Sequence, residues 1–279
     1  MEYTTKYGND NKAYRSAMKN FYEALGNIKA IKDMLSLRGI TLKERLSTNR
    51  TLASLEILDA TGGKGCFYNM SQNSLQRIFD YIDKNIQEST ERNRYDCLIW
   101  FQTYMRMENF DFGKAYDFLM EWPNGDNDYY VCFYRYAIGF ILYYNNELDA
   151  LTVQRHLKQS SILSNNLYGI STTSTREIVG VKDDKLYLIP DYIDSYLGNL
   201  DNEDRDKYRK ENGLCFTGQI SDFNNAMVTI KFSIDNIFNF TAKIPAISEI
   251  TGMDVGDNVN FVLGFSYKEM RAWNVEKIV

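Results

Sequence analysis

The spacing of apolar residues changes once along this chain, and that change limits the folds it can adopt. Up to about residue 165, apolar side chains recur every three or four positions, as in amphipathic helices. From residue 213 they alternate with polar side chains, as in short strands. We therefore predict an α+β protein of two domains: a helical domain at residues 1–165 and a small β-barrel at 213–279, joined by a β-hairpin and a charged linker at 166–212.

The helical pattern is continuous before residue 94 except for one glycine-rich break. It predicts one or two helices between Asn11 and Leu46, a short helix at residues 51–60, and a helix at 71–87 that Ser71 caps. The break, Thr61–Gly65, contains Gly-Gly-Lys-Gly but lacks the spacing and the hydroxyl residue of a phosphate-binding loop. We interpret it as a helix terminator.

The stretch from Arg94 to Ser161 repeats itself at an offset of 35 residues. Cys97 aligns with Cys132, and Ala115 aligns with Ala150. Each copy has an aromatic first segment, a short polar turn and a second segment that carries the alanine near its start. Two helices can cross closely only where a small residue lies between them, so the pattern predicts two helical hairpins with alanine at each crossing.

This pattern resembles the tetratricopeptide repeat, whose repeat length and small residue in the second helix are similar. The resemblance covers residues 94–161 and extends only loosely to the upstream helices. It implies a concave surface of stacked helices that holds a protein partner. An ordinary helical bundle with one duplicated hairpin is the alternative.

The last 67 residues contain five short segments of alternating pattern, separated by turn residues. The predicted strands are Cys215–Ile220, Met227–Phe232, Ile237–Phe240, Val259–Leu263 and Ala272–Lys277. Five strands in so short a segment suggest a closed barrel. A β-hairpin is also predicted upstream of them, with strands at 176–181 and 186–190, followed by a short helix at 191–200 and a charged helix or linker at 201–212.

The order of motifs in the barrel resembles a cold-shock domain, which is an OB-fold barrel. The segments that resemble motifs of that family are Gly218-Gln219-Ile220, Asp235–Phe240, Val255–Phe261 and Ala272–Val275. The resemblance implies binding of single-stranded RNA or DNA. The candidate residues for that role are Lys231, Phe232, Phe238, Phe240 and Trp273, and the alternative is that the aromatic residues among them belong to the core.

The strand that should carry the stacking aromatics departs from the family pattern. The family has a Lys-Gly-Phe-Gly-Phe-like stretch there, whereas Ala226–Phe232 has no glycine and a single aromatic residue, Phe232. Stacking is worth about 1–3 kcal/mol per base, so losing several platforms would remove most of the affinity.

The charge distribution also bears on nucleic acid. The net charge is −5, and the segments after residue 60 are all acidic, the barrel included. Residues 1–60 alone are basic, with ten Lys and Arg against seven Asp and Glu. No predicted domain therefore has a strong basic footprint, although net charge does not exclude a local basic face.

Few residues here suit catalysis or metal binding. There is one histidine, His156, and the four cysteines lie far apart with no CxxC pair. We expect no enzyme activity, no metal and no cofactor. The polar first ten residues and the lack of a long apolar run predict a cytoplasmic protein that does not enter a membrane.

The surplus of tyrosine is the feature best suited to function, because exposed tyrosine is enriched where proteins bind each other. We expect a non-enzymatic adaptor that binds a protein through Tyr104, Tyr136 and Tyr143 of the helices and uses the barrel as a second contact surface. The competing interpretation is that the tyrosines are bulky core residues whose hydroxyls reach water. Helical repeats joined to small barrels resemble accessory subunits of bacterial assemblies, including defence systems. Single-stranded nucleic-acid binding by the barrel is the alternative.

Overall fold

The structure is a computed structural model that describes residues 12–61, 70–165, 177–182, 185–190, 202–224, 227–244 and 250–278. Helices occupy the N-terminal part, and a closed five-strand barrel with two extra strands follows, so the predicted α+β layout is confirmed. The glycine-rich segment at 62–65, Cys66 and the short helix predicted at 191–200 lie outside the described residues. The chain divides into two compact units, Met1–Asp111 and Phe112–Val279.

The first unit is helical throughout its described residues. Its helices are α1 (Lys12–Ala24), α2 (Ile28–Met34), α3 (Leu42–Ala60), α4 (Gln72–Glu88) and α5 (Arg94–Tyr104). The predicted cap is confirmed, since the Ser71 hydroxyl accepts from the Ser74 amide. The bounds of the helices predicted at 11–46 and at 51–60 are wrong, because α3 runs without interruption from Leu42 to Ala60. The chain turns instead at Gly26 and Gly39, both with positive φ, because glycine adopts that conformation without strain.

A buried polar cluster joins three helices of this unit. Asp96 of α5 is 1% exposed, and both of its carboxylate oxygens accept from Arg50 of α3, at 2.7 and 2.6 Å. Asn85 of α4 accepts from Asn49 at 2.9 Å and donates to the Leu46 carbonyl at 3.0 Å. These bonds fix α3, α4 and α5 in one register, since a buried polar group is stable only when it is paired.

Within its described residues, the second unit combines four more α-helices with the strands. Its helices are α6 (Phe112–Met120), α7 (Tyr129–Tyr144), α8 (Ala150–Asn165) and α9 (Asn202–Asn212). Its strands are β1 (Glu177–Lys182), β2 (Lys185–Pro190), β3 (Cys215–Asn224), β4 (Met227–Ser233), β5 (Asn239–Ile244), β6 (Asn258–Phe265) and β7 (Met270–Lys277). The predicted hairpin and the five predicted strands are thus confirmed, with β5 starting two residues late.

Strands β3 to β7 close on themselves. Neighbouring strands pair antiparallel in the order β6-β3-β4-β5, a parallel pair joins β5 to β7, and an antiparallel pair of β6 with β7 completes the ring. The hairpin β1–β2 extends the sheet from β6. Gly218 permits the close approach of β3 to β4, because a Cβ there would lie 2.7 Å from the Lys231 carbonyl oxygen of β4.

The α7 helix forms part of the barrel core. Its side chains from Val131 to Tyr143 are all buried, which is typical of a helix covered on every side. Phe140 lies among aromatic rings of the barrel interior, with centroids 5.4 Å from Phe240 and 5.5 Å from Phe265. Phe216 and Phe232 lie next to it at 6.2 and 6.3 Å. The helix and the barrel therefore share one hydrophobic core.

The second predicted hairpin is present, but its crossing differs from the prediction. Ala115 is fully buried as expected, whereas Ala150 is only half-buried. The close approach between α7 and α8 is at Gly139, where a Cβ would lie 3.2 Å from Leu148 and 3.7 Å from Val153. Glycine thus takes the position of the small residue in this copy.

The two compact units do not follow the predicted domain ranges 1–165, 166–212 and 213–279. Helices α6 to α8 belong to the same unit as the barrel. A unit defined by contacts is not the same as a segment that folds alone, so the predicted domain ranges stay a prediction.

Candidate functional site

The tyrosine predicted to bind a partner in the first unit lies in its core. Tyr104 is 4% exposed, and its ring packs against Trp100 and Phe110 with centroids 4.8 and 5.3 Å away. Its hydroxyl accepts from the Asp111 amide at 3.2 Å. This side chain offers little surface to a partner while the unit is folded.

The two tyrosines of α7 that were predicted to bind a partner form hydrogen bonds with the barrel of the same unit. Tyr136 is fully buried and its hydroxyl donates to the Ser266 carbonyl. Tyr143 is 9% exposed and donates to the Asp235 carboxylate at 2.5 Å. A partner-binding role for these residues stays a prediction, but it depended on exposed side chains and both tyrosines are buried. Their hydroxyls instead anchor α7 to two loops of the barrel.

The pKa values of these groups follow from that anchoring. Burial raises the pKa of Tyr136 well above its usual value. Burial, followed by the hydrogen bond to Asp235, raises the pKa of Tyr143 to about 12. The same hydrogen bond, with the amides of Ile237 and Phe238, lowers the pKa of Asp235 to about 2. At neutral pH this is a neutral phenol donating to a charged carboxylate, which is a strong pairing.

Most aromatic residues predicted to contact nucleic acid are turned inward. Phe232 is 3% exposed and Phe240 is fully buried, both in the barrel core. Phe238 is half-buried against Phe240, with centroids 5.1 Å apart. Trp273 is half-buried, and its ring stacks on the guanidinium of Arg209 in α9 at 3.6 Å. Among these candidates only Lys231 is exposed.

The outer face of strands β3, β4 and β5 is polar. Gln219, Lys231 and Thr241 lie in one row across the three strands. The next row on β4 and β5 pairs Thr229 with Lys243, whose ammonium lies 3.1 Å from Glu269. The alternation places the aromatic side chains of β4 and β5 inside, so these two strands present no stacking platform on this face.

The connection between β4 and β5 presents the most exposed large apolar side chain of the described residues. Ile237 is 87% exposed, next to the half-buried Phe238. One oxygen of Asp235 accepts from both of their amides, at 2.9 and 3.1 Å. Asn236 holds φ at 60°, which asparagine tolerates. We name residues 233–238 the Ile237 turn.

Sequence reasoning missed the Ile237 turn as a candidate site. Asp235 and Asn236 were correctly predicted to form a turn, but Ile237 was assigned to a strand with one face inward. The Asp-Asn pair is the available signal, since both residues favour tight turns. Neither residue indicates that Tyr143, 92 positions earlier, donates to Asp235.

His156, Cys97 and Cys132 are held in forms that are poorly reactive. His156 Nε2 lies 2.7 Å from the Tyr116 hydroxyl, and burial, assisted by Arg135, lowers its pKa to about 4. Burial raises the pKa of Cys97 and of Cys132 to about 11, which disfavours the thiolate. Within the described ranges, no group of three or more His, Cys, Asp or Glu side chains is placed to hold a metal ion.

No described helix combines the length and the apolar character needed to cross a membrane.

Comparisons with protein-family models, with curated proteins and with solved structures found no match to this chain. The functional argument therefore depends on the geometry alone.

Proposed function

We propose that this protein is a non-enzymatic adaptor whose second unit binds a protein partner through the Ile237 turn. The helix α7 and the barrel act together as the scaffold that presents the turn. The proposal keeps the adaptor function expected from the sequence. It assigns the partner contact to the Ile237 turn, which Tyr143 holds through Asp235, instead of to the tyrosines themselves.

The observation that carries the proposal is an exposed apolar tip on a fixed turn. Asp235 accepts from the Tyr143 hydroxyl and from the amides of Ile237 and Phe238, so the turn is held in one conformation without a partner. Pre-organisation lowers the entropy that association would otherwise lose. An exposed isoleucine beside a phenylalanine suits an apolar pocket on another protein.

The scaffold is consistent with both resemblances seen in the sequence. The α7–α8 hairpin has the arrangement that a tetratricopeptide-like repeat implies. The closed five-strand barrel has the architecture that a cold-shock-like domain implies. In the OB fold, the face of the second and third strands binds ligands, and β4 and β5 would be those strands if the resemblance holds.

The test is retention of a partner by the full-length chain with and without the apolar tip. Ile237→Ser should lower retention of a specific protein from cells of the source organism about tenfold, and the wild-type complex should persist at high salt. Val255→Ser is the matched control, since Val255 is also exposed and lies elsewhere in the same unit. A photo-crosslinker at position 237 should label the same protein.

The proposal is wrong if Ile237→Ser and Val255→Ser retain the same proteins to the same extent. It is also wrong if the crosslinker at position 237 labels nothing that co-purifies. Both variants should unfold at the wild-type temperature, because both side chains are largely in water.

A second candidate function is single-stranded nucleic-acid binding by the outer face of β4 and β5. It is favoured by the barrel architecture and by Lys231 and Lys243 on that face. A fluorescent single strand should then bind at low salt, and Lys231→Glu should weaken binding and reduce its salt dependence. An anisotropy titration without any change at low salt would exclude this function.

A further inference from the structure

The first unit contains a cavity of about 270 Å³ between α1, α3 and the connection that precedes α3. Its polar wall includes Lys12, Lys19 and Lys43, and its apolar wall includes Met34 and Ile40. The volume is close to the lower limit for small-molecule sites. This cavity is separate from the Ile237 turn, which belongs to the second unit.

The charges around the cavity are unbalanced. Its lining has four basic side chains and a single carboxylate, that of Glu44. Arg15 donates to both oxygens of Glu44, at 3.1 and 3.2 Å, and this pairing lowers the pKa of Glu44 to about 2. The charges of Arg15 and Glu44 therefore offset each other, and the positive charges of the three lysines are not offset by this carboxylate.

The three lysines have no carboxylate partner among the residues that the structure describes. Lys19 donates to the Ser47 hydroxyl at 2.7 Å, which aims its ammonium at the cavity wall formed by α3. Lys12 and Lys43 are exposed at the same cavity. Three lysines that line one cavity attract a ligand that carries several negative charges.

The cavity also lies in the basic part of an otherwise acidic chain. Residues 1–60 have a surplus of three positive charges, whereas the chain as a whole has a net charge of −5. Residues 1–60 are thus a basic segment in an acidic chain. A surplus of this sign is what recognition of phosphate groups requires.

We propose that this cavity binds a small ligand through a diphosphate or similarly multivalent phosphate group. The ammonium groups of Lys12, Lys19 and Lys43 contact the phosphate oxygens. The organic part of the ligand packs against Met34 and Ile40. The adaptor would then carry a ligand site in its first unit, independent of the partner site in its second.

The test uses inorganic pyrophosphate as the probe and isothermal titration calorimetry of the full chain at low salt. Pyrophosphate should bind once per chain, more weakly as salt is added. Citrate, a phosphate-free anion of similar charge, should bind about tenfold more weakly. Lys43→Glu should weaken pyrophosphate binding by about tenfold or more.

Lys29→Glu is the matched control, because Lys29 is exposed in the same unit but does not line the cavity. It should change pyrophosphate affinity by less than about twofold. Lys43→Glu should not impair folding, since Lys43 is exposed and a carboxylate in the first turn of α3 is favourable there. Thermal unfolding of each variant checks this, and Lys12→Glu provides a second test of the cavity if Lys43→Glu fails to fold.

Three results would overturn the proposal. One is the absence of any heat of binding with pyrophosphate. Another is binding of citrate as strong as that of pyrophosphate, which would remove the phosphate assignment. The last is an equal loss of affinity in the Lys29→Glu control. None of these results bears on the Ile237 turn, so the two proposals fail separately.

Discussion

The hydroxyl of Tyr143 donates to the carboxylate of Asp235 at 2.5 Å, and this bond ties the end of α7 to the turn between β4 and β5. The two residues are 92 positions apart in the sequence. The bond joins the part of the second unit that is helical to the part that is barrel, at the turn proposed to meet a partner.

Tyr143→Phe should make stability less dependent on acid pH. The pKa of Asp235 is lowered to about 2 when folded, so its contribution is present above the unfolded pKa of about 4 and is lost as pH falls towards 2. The variant loses the main cause of this shift. The midpoint of thermal unfolding, followed by circular dichroism between pH 7 and pH 2.5, should therefore fall less in the variant. If the unfolding midpoint falls equally with pH in both proteins, Asp235 does not depend on the hydrogen bond from Tyr143.

Phe140→Ala should destabilise the second unit by about 3–5 kcal/mol, because it leaves a cavity among the rings of the barrel interior. Tyr144→Ala is the control on the same helix, since Tyr144 is exposed and its loss should change stability by less than about 0.5 kcal/mol. Urea unfolding of both variants measures the difference. Similar midpoints would show that α7 is not part of the barrel core.

Asp96→Asn should destabilise the first unit by about 3 kcal/mol, since it breaks a buried ion pair and leaves Arg50 without its partner. Arg50 is partly exposed, which keeps the value at the lower end of the usual range. Glu88→Gln is the control, because the Arg45–Glu88 pair is exposed on both sides and is worth less than about 1 kcal/mol. Urea unfolding should rank the two variants in that order, and the reverse order would contradict the buried cluster.

His156 should remain neutral down to about pH 4. Burial lowers its pKa from the ordinary 6.5, so the unfolded chain takes up the proton first, and stability decreases as pH falls from 6.5 towards 4. Because the chain has one histidine, a single imidazole signal in the NMR spectrum reports this titration without assignment. A midpoint near 6.5 would mean that His156 is in water and not hydrogen-bonded to Tyr116.

Sequence patterns predicted most of the secondary structure, because periodicity is a local property. The alternation in β4 and β5 also placed Phe232 and Phe240 on one face of their strands. It did not say which face is inside, and Phe232 and Phe240, both proposed for stacking, belong to the core. The pattern of helix α7 indicates a buried helix, since its apolar residues lie on every side of the helix and all need to be covered.

The sequence by itself determined the two kinds of secondary structure, the hairpin, the five strands and the basic character of residues 1–60. Each of these depends on neighbouring residues or on composition. Only the tertiary structure decided that α7 shares a core with the barrel, that Tyr143 fixes the Ile237 turn through Asp235, and that three lysines line one cavity. Those relationships join residues far apart in the chain, and they are set by packing, which no local pattern encodes.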